Sequence, residues 1–95
     1  MSQPAYTILF DELEHFNEVL FVCKGIVRVG YEINSIQKFR LKYTGSFGIG
    51  LYGATFNVPS FYIYKAFTRC EGYFIRKKTW RLIIDDYMHV SNELR

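Results

Sequence analysis

Between Tyr43 and Tyr64 the sequence carries no charged residue. The same stretch reads GSFGIGLYGATFNVPS over residues 45–60 and is rich in glycine. A backbone without Cβ atoms can bring several N–H groups close to an anion, yet no side chain here could neutralise one. Cysteine is almost as scarce. Cys23 and Cys70 fit no metal-ligand spacing, which excludes a zinc module and points to free thiols in the core of a protein from a reducing compartment. No apolar run approaches the ~20 residues that span a bilayer. The longest, Val19 to Cys23, is strand-sized and closed by Glu18 and Lys24. Met1 to Tyr6 lacks a basic segment followed by an apolar one, so no secretory leader is read and a cytosolic location is expected.

No catalytic constellation can be assembled either. His15 and His89 have no nucleophile or paired carboxylate near them in sequence, and Asp85 and Asp86, as helix neighbours, point apart. A non-enzyme without metal or cofactor is the expectation.

What is present is a 95-residue chain, 49% hydrophobic and 19% aromatic, sufficient for one small domain with its own core. The net charge is +3. Arg76-Lys77-Lys78, next to Tyr73 and Phe74, is the one dense basic cluster. It reads as a solvated strand-to-helix corner, because no second cluster completes a stripe for nucleic acid.

The dominant hydrophobic period is two. Lys38 to Tyr43 alternates cation and apolar residue, as a strand with one wet and one buried face should. Val19 to Cys23 is apolar on both faces, so both should be covered. Lys24-Gly25 reverses the chain, Ile26 to Ile33 returns, and Asn34-Ser35 turns it again. Tyr6 to Phe10, Phe61 to Phe67 and Tyr73 to Arg76 complete the strands, with Glu71-Gly72 as the turn before the last. Short strands at such spacing indicate a mainly β jelly roll of seven to eight strands. The period changes once, at a C-terminal helix capped by Thr79 and running from Trp80 to about Tyr87, with Leu82, Ile83 and Met88 turned inward. A second helix is expected to open at Ser91, as at the cut edge of a longer polypeptide.

Taken in order, these elements resemble a known family. Tyr6-Thr-Ile-Leu-Phe-Asp-Glu12 followed by Glu18-Val-Leu-Phe-Val-Cys-Lys-Gly-Ile-Val-Arg-Val-Gly30 is similar to the opening strands of cyclic nucleotide-binding domains. Tyr31 to Asn34, Phe39 to Lys42, and Tyr64-Lys65 through Gly72-Tyr-Phe-Ile-Arg-Lys77 look most like the version carried by protozoan voltage-gated potassium and cyclic-nucleotide-gated cation channels. The resemblance covers residues 5 to about 90. It implies a β-roll on the cytosolic side of a channel pore, a cytoplasmic domain of a membrane protein. The chain, 1–95, would then be a single domain without the helices that precede the roll and the lid helix that follows it.

In nucleotide-binding members, the resemblance implies a cassette reading F-G-E-[IL]-x-L-L and then P-R-[ST]-A. The Glu holds the ribose, and the Arg and a helix N-terminus hold the phosphate. Two registers fit here, Phe47-Gly48-Ile49 and Ile49-Gly50-Leu51, and in both an aliphatic residue replaces the acid. Ser60, after Pro59, stands at the arginine position, and Phe61 and Tyr62 follow where small residues usually line the pocket. They are expected either to fill the nucleotide's space or to sit as ordinary strand residues, one inward and one outward. The degenerate site is therefore placed at Phe47, Gly48, Ile49, Gly50, Leu51, Ser60, Phe61 and Tyr62. The expected partners are other domains of the same channel tetramer. No cyclic nucleotide and no nucleic acid is expected, and membrane contact comes only through the attached channel. The alternative is a sensor of a cyclic nucleotide or another small molecule through an altered pocket. A Ser60→Arg change is expected to restore nucleotide binding only in part.

Overall fold

The computed structural model describes residues 1–93, and side-chain surroundings as far as Tyr87. Eight strands form two antiparallel sheets. One is ordered β1 (Ser2–Gln3), β8 (Cys70–Arg76), β3 (Glu18–Lys24), β6 (Phe47–Ile49); the other is β2 (Ile8–Phe10), β7 (Ile63–Ala66), β4 (Ile26–Ile33), β5 (Ile36–Thr44). Two helices, α1 (Leu51–Phe56) and α2 (Lys77–Glu93), complete the chain. This is the β-roll architecture with a C-terminal helix that the strand spacing implies.

The core lies between the sheets. Leu20, Val22, Ile49 and Cys70 of the first sheet pack with Phe10, Val27 and Ala66 of the second, while the buried Val19 lies on the other face of β3. Strand β3 is covered on both faces: Phe21, which alternates with Leu20 and Val22, meets the Trp80 ring of α2 at 6.2 Å. Asn34 and Ser35 both have positive φ, 53° and 64°, the two-residue turn whose twist matches a hairpin.

Several local readings change. Lys24-Gly25 joins β3 to β4 without pairing them, so the chain crosses from one sheet to the other there. Glu71 and Gly72 lie inside β8. The first strand of the second sheet starts at Ile8, after Tyr6 takes a positive φ of 67°, and β7 starts at Ile63 because Ser60 is already held by the loop below it. Helix α2 begins at Lys77, with Thr79 in its first turn, and runs unbroken through Ser91. Leu82 and Ile83 are exposed, while Trp80 and Ile84 are half-buried, so the inward face is offset from the one expected. The Met88 side chain and Leu94 lie outside the described residues.

The largest departure is on β5. A bulge between Val29 and Gly30 of β4 leaves Arg40 without an opposite residue: Val29 pairs with Leu41 and Gly30 with Phe39. Because side chains alternate with period two, this extra residue shifts the faces. Leu41 and Tyr43 share a side with Val27 and Val29, whereas Phe39 joins Phe67 on the outer side, 5.1 Å between ring centroids. As β5 is the sheet's edge, Leu41 remains 56% exposed.

Both thiols are free, but only Cys70 is buried. Its burial pushes the thiol pKa up, and a backbone hydrogen bond at Ile26 offsets this only in part. Since the thiolate is the reactive form, Cys23 is expected to react with an aromatic disulfide reagent at once and Cys70 only on unfolding. Two equally fast thiols in the folded protein would contradict this placement. The same shift has a sign for stability. The folded state holds the Cys70 proton more tightly, so its contribution is complete below the ordinary thiol range and is lost as pH rises from there through the raised value of the folded protein.

Candidate functional site

The glycine-rich stretch folds as strand, short helix and loop. Strand β6 pairs with β3 through Leu20↔Ile49, Phe21↔Gly48 and Val22↔Phe47, which sends Ile49 into the core. Gly50 follows with φ +88°, a left-handed position that glycine adopts without steric cost, and α1 begins at Leu51. The glycine at the helix start is Gly50, so Leu51 occupies the first helical position and Ile49 is a core residue.

Helix α1 has six residues, no side-chain cap and no acid in its first turn. Its far end is better furnished. Asn57 closes it at φ 57°, Val58 N donates to the Gly53 carbonyl at 3.0 Å, and the Lys77 ammonium donates to Asn57 Oδ1. A cation at a helix C-terminus is favourable, but it is the wrong end for a phosphate. Thr55 Oγ1 accepts from Trp80 Nε1 at 2.8 Å and donates to the Leu51 carbonyl at 2.7 Å, which ties α1 to α2.

The side chain that accounts for the glycines is Phe16. A Cβ on Gly53 would sit 2.1 Å from Phe16 Cδ2, and one on Gly50 would sit 2.7 Å from Cδ1. Residues i and i+3 share a helix face, so two glycines there leave a slot one ring wide. Phe16 fills it and continues into an aromatic cluster, 4.6 Å from Phe10 and 6.1 Å from Tyr64 between centroids. Sequence reasoning passed over Phe16 because it lies alone among polar residues, in Leu13-Glu-His-Phe-Asn-Glu18, with no period to mark it. The Gly50–Gly53 spacing was the available signal.

Beside Phe16 a cavity of about 140 Å³ is lined by Gly53, Val58, Ser60, Tyr62 and Tyr64, with Tyr52 and Phe61 at its mouth. It is smaller than the ~300–1,000 Å³ of ordinary ligand pockets and has no charged residue in its wall. Burial pushes the Tyr64 phenol up, and the neighbouring Tyr43 and Tyr62 add to this, so that group stays protonated. Gly50, Ser60, Phe61 and Tyr62 come together around this cavity, whereas Phe47, Gly48 and Ile49 belong to β6 and Leu51 opens α1. Phe61 and Tyr62 are 64% and 50% exposed, so neither faces the core.

Ser60 is only 1% exposed. Its Oγ donates to the Tyr62 carbonyl at 2.6 Å, its N–H to the Glu14 carbonyl at 2.8 Å, and its carbonyl accepts from Leu13 N at 2.7 Å. Ser60 is thus a closed knot between two loops. An Arg there would overfill a buried position and bring its charge into a wall that carries none. Ser60→Arg is now expected to give no nucleotide binding and to cost about 1–3 kcal/mol through overpacking, read by urea denaturation; a stable variant that binds cAMP would contradict this.

Elsewhere, Arg76 and Lys78 are exposed at the strand-to-helix corner, as are His15, Asp85 and Asp86. Among the described residues no three His, Cys, Asp or Glu side chains gather to hold a metal ion, and no helix is long and apolar enough to cross a membrane.

No protein-family model and no curated protein sequence matches this chain. Solved structures do. The regulatory domain of Toxoplasma gondii PKA, in complex with cAMP, superposes with a TM-score of 0.79 at 16% identity, covering 87% of this chain and 32% of that one. The c-di-GMP responsive global regulator CLP of Xanthomonas campestris gives 0.77 at 15%, covering 98% and 46%. A cAMP-binding acyltransferase of Mycobacterium smegmatis gives 0.74 at 12%, covering 84% and 25%. The fold is therefore the cyclic nucleotide-binding type of β-roll. The chain spans less than half the length of each of these proteins, and they include both regulators and an enzyme, so the fold alone does not assign an activity.

Proposed function

We propose that this chain is a regulatory β-roll of the cyclic nucleotide-binding homology type, a cytosolic part of a cation channel, and that it acts through contacts with other domains of the channel tetramer. The observation that carries the loss of nucleotide binding is the cassette itself. On this reading Leu51 takes the place of the ribose carboxylate and Ser60 that of the phosphate arginine; the reading is supported by the burial of Ser60 and by Phe16, which fills the slot against Gly50 and Gly53. Two absent charge-assisted hydrogen bonds, at about 1.5–3 kcal/mol each, correspond to roughly two to four powers of ten in affinity. The channel assignment rests on the ordered resemblance across residues 5 to about 90.

Such a roll shifts gating only by the difference between its contacts in the open and closed states. Exposed Leu82, Ile83 and Tyr87 on α2 and the aromatic mouth at Phe61 and Tyr62 supply apolar surface for them. The small cavity over Tyr64 favours one other reading, a sensor for an uncharged apolar molecule. Titration calorimetry with cAMP and cGMP tests the proposal: no heat of binding is expected at micromolar concentrations, and saturable binding would put a cyclic-nucleotide sensor with an altered pocket first.

A further inference from the structure

The outer face of the second sheet carries a row of three cations. Arg28 on β4 pairs in register with Lys65 on β7 and with Lys42 on β5. Paired residues share a face, so the three side chains stand side by side across neighbouring strands, about 10 Å from first to last. Like charges placed directly opposite destabilise a sheet. Among the described residues only Arg69 and Glu71 form an ion pair, so none of the three is neutralised. Glu32 lies about 13 Å from Arg28 along β4; it pairs with Gln37, the residue that accepts from Lys65, forms no ion pair with the row, and its N–H donates to Glu12 Oε1.

Two cations of the row are held in place from below. The Arg28 guanidinium lies 5.0 Å over the Phe67 ring, and Lys65 Nζ lies 5.8 Å over Phe39 while donating to Gln37 Oε1 at 3.3 Å. Arg28 Nε is enclosed and has no acceptor within the fold. We infer that Lys65, Arg28 and Lys42 form an anion site for a ligand bearing more than one phosphate group. The site is separate from the charge-free cassette and does not depend on the function proposed above. Single-stranded nucleic acid fits less well. It would need free ring faces for its bases, and here Arg28 and Lys65 occupy those of Phe67 and Phe39. Phosphates need only the outward N–H groups, and a polyphosphate matches the width of the row.

The probe is inorganic tripolyphosphate, titrated at low ionic strength into the wild type, Lys42→Gln/Lys65→Gln and Arg76→Gln/Lys78→Gln. Both double variants lose the same charge, but only the first disrupts the row, and Arg28 keeps its packing in both. Saturable binding is expected for the wild type. It should weaken about a hundredfold in K42Q/K65Q, on the order of tenfold per charged contact, and by less than about threefold in R76Q/K78Q. Equal losses in the two variants, or no saturation below about 10 mM (roughly −3 kcal/mol), would overturn the site. Thermal melting without ligand gives a second readout: K42Q/K65Q should melt at or above the wild type at low salt, since repulsion is relieved, and a lower midpoint would remove the basis of the inference. Sedimentation with phosphatidylcholine vesicles, with and without added phosphatidylinositol bisphosphate, separates two sources of the anion. Binding to the anionic vesicles tighter than to tripolyphosphate assigns a lipid headgroup, and the reverse assigns a soluble polyphosphate. In both cases K42Q/K65Q must abolish the preference for the anion.

Discussion

Phe16→Ala is expected to lower stability by about 3–5 kcal/mol, the usual cost of emptying a buried aromatic site. In a domain of this size, that is a large share of the ~5–15 kcal/mol available. The ring is buried, touches Phe10 and Tyr64, and fills the slot left by Gly50 and Gly53. Its removal would therefore empty one end of the core and loosen α1 at once. Neighbours cannot close the gap easily, since the facing positions on α1 are glycines with no side chain to move. Urea denaturation reads the effect as a fall in midpoint at unchanged slope. A loss below about 1 kcal/mol would mean that the cassette holds its shape without Phe16, and the account of its glycines would fail.

Gly72→Ala should be at least as damaging, for a different reason. A Cβ at position 72 would lie 2.0 Å from the Phe21 carbonyl oxygen and 3.0 Å from Val22 Cα. Those atoms are backbone of β3, the strand paired with β8 along most of its length, so no side chain can swing away. Relief requires β3 and β8 to part in the middle of the first sheet, and the cost should exceed the ~1–3 kcal/mol of ordinary overpacking. At roughly 4–8 °C per kcal/mol for a chain of this length, the melting point should fall by more than about 10 °C, or the variant should not fold. Gly45→Ala is the matched control: it meets no atom within 4 Å, although its φ of +83° carries strain, expected to cost only about 1–2 kcal/mol. A larger loss at Gly45 than at Gly72 would contradict the sheet register.

The strands and the hairpin turn were legible in the sequence because they rest on local chemistry: short runs of apolar, aromatic and β-branched residues, and Asn34-Ser35 where positive φ was needed. What escaped depends on contacts between distant segments. The regular alternation of β5 gave no sign of a bulge, because the bulge is set by β4, where a Cβ on Gly30 would meet the Lys38 carbonyl oxygen at 1.9 Å. Gly72 looked like a turn residue for a similar reason: glycine marks both a turn and a close approach of two backbones, and only the partner strand distinguishes them. At the candidate site, the missing charges could be read directly, since a run without Asp, Glu, Lys or Arg needs no alignment. That Ile49 faces the core and Leu51 opens the helix needed the φ of Gly50, and the role of Phe16 needed the fold. The cation row was invisible for the same reason, as Arg28, Lys42 and Lys65 are far apart in sequence and meet only through the sheet register.

The central claim is that the glycines of the cassette are occupied by Phe16 and leave no phosphate site. The most direct measurement follows the backbone amide resonances of Gly50 to Ala54 by two-dimensional NMR while cAMP, and separately cGMP, is added. These N–H groups would report a phosphate at the start of α1 whatever side chains surround it. The account predicts that none of them moves up to about 1 mM ligand, near −4 kcal/mol. Saturating shifts at Gly50, Leu51 and Gly53 with a dissociation constant below about 10 µM, near −7 kcal/mol, would contradict it.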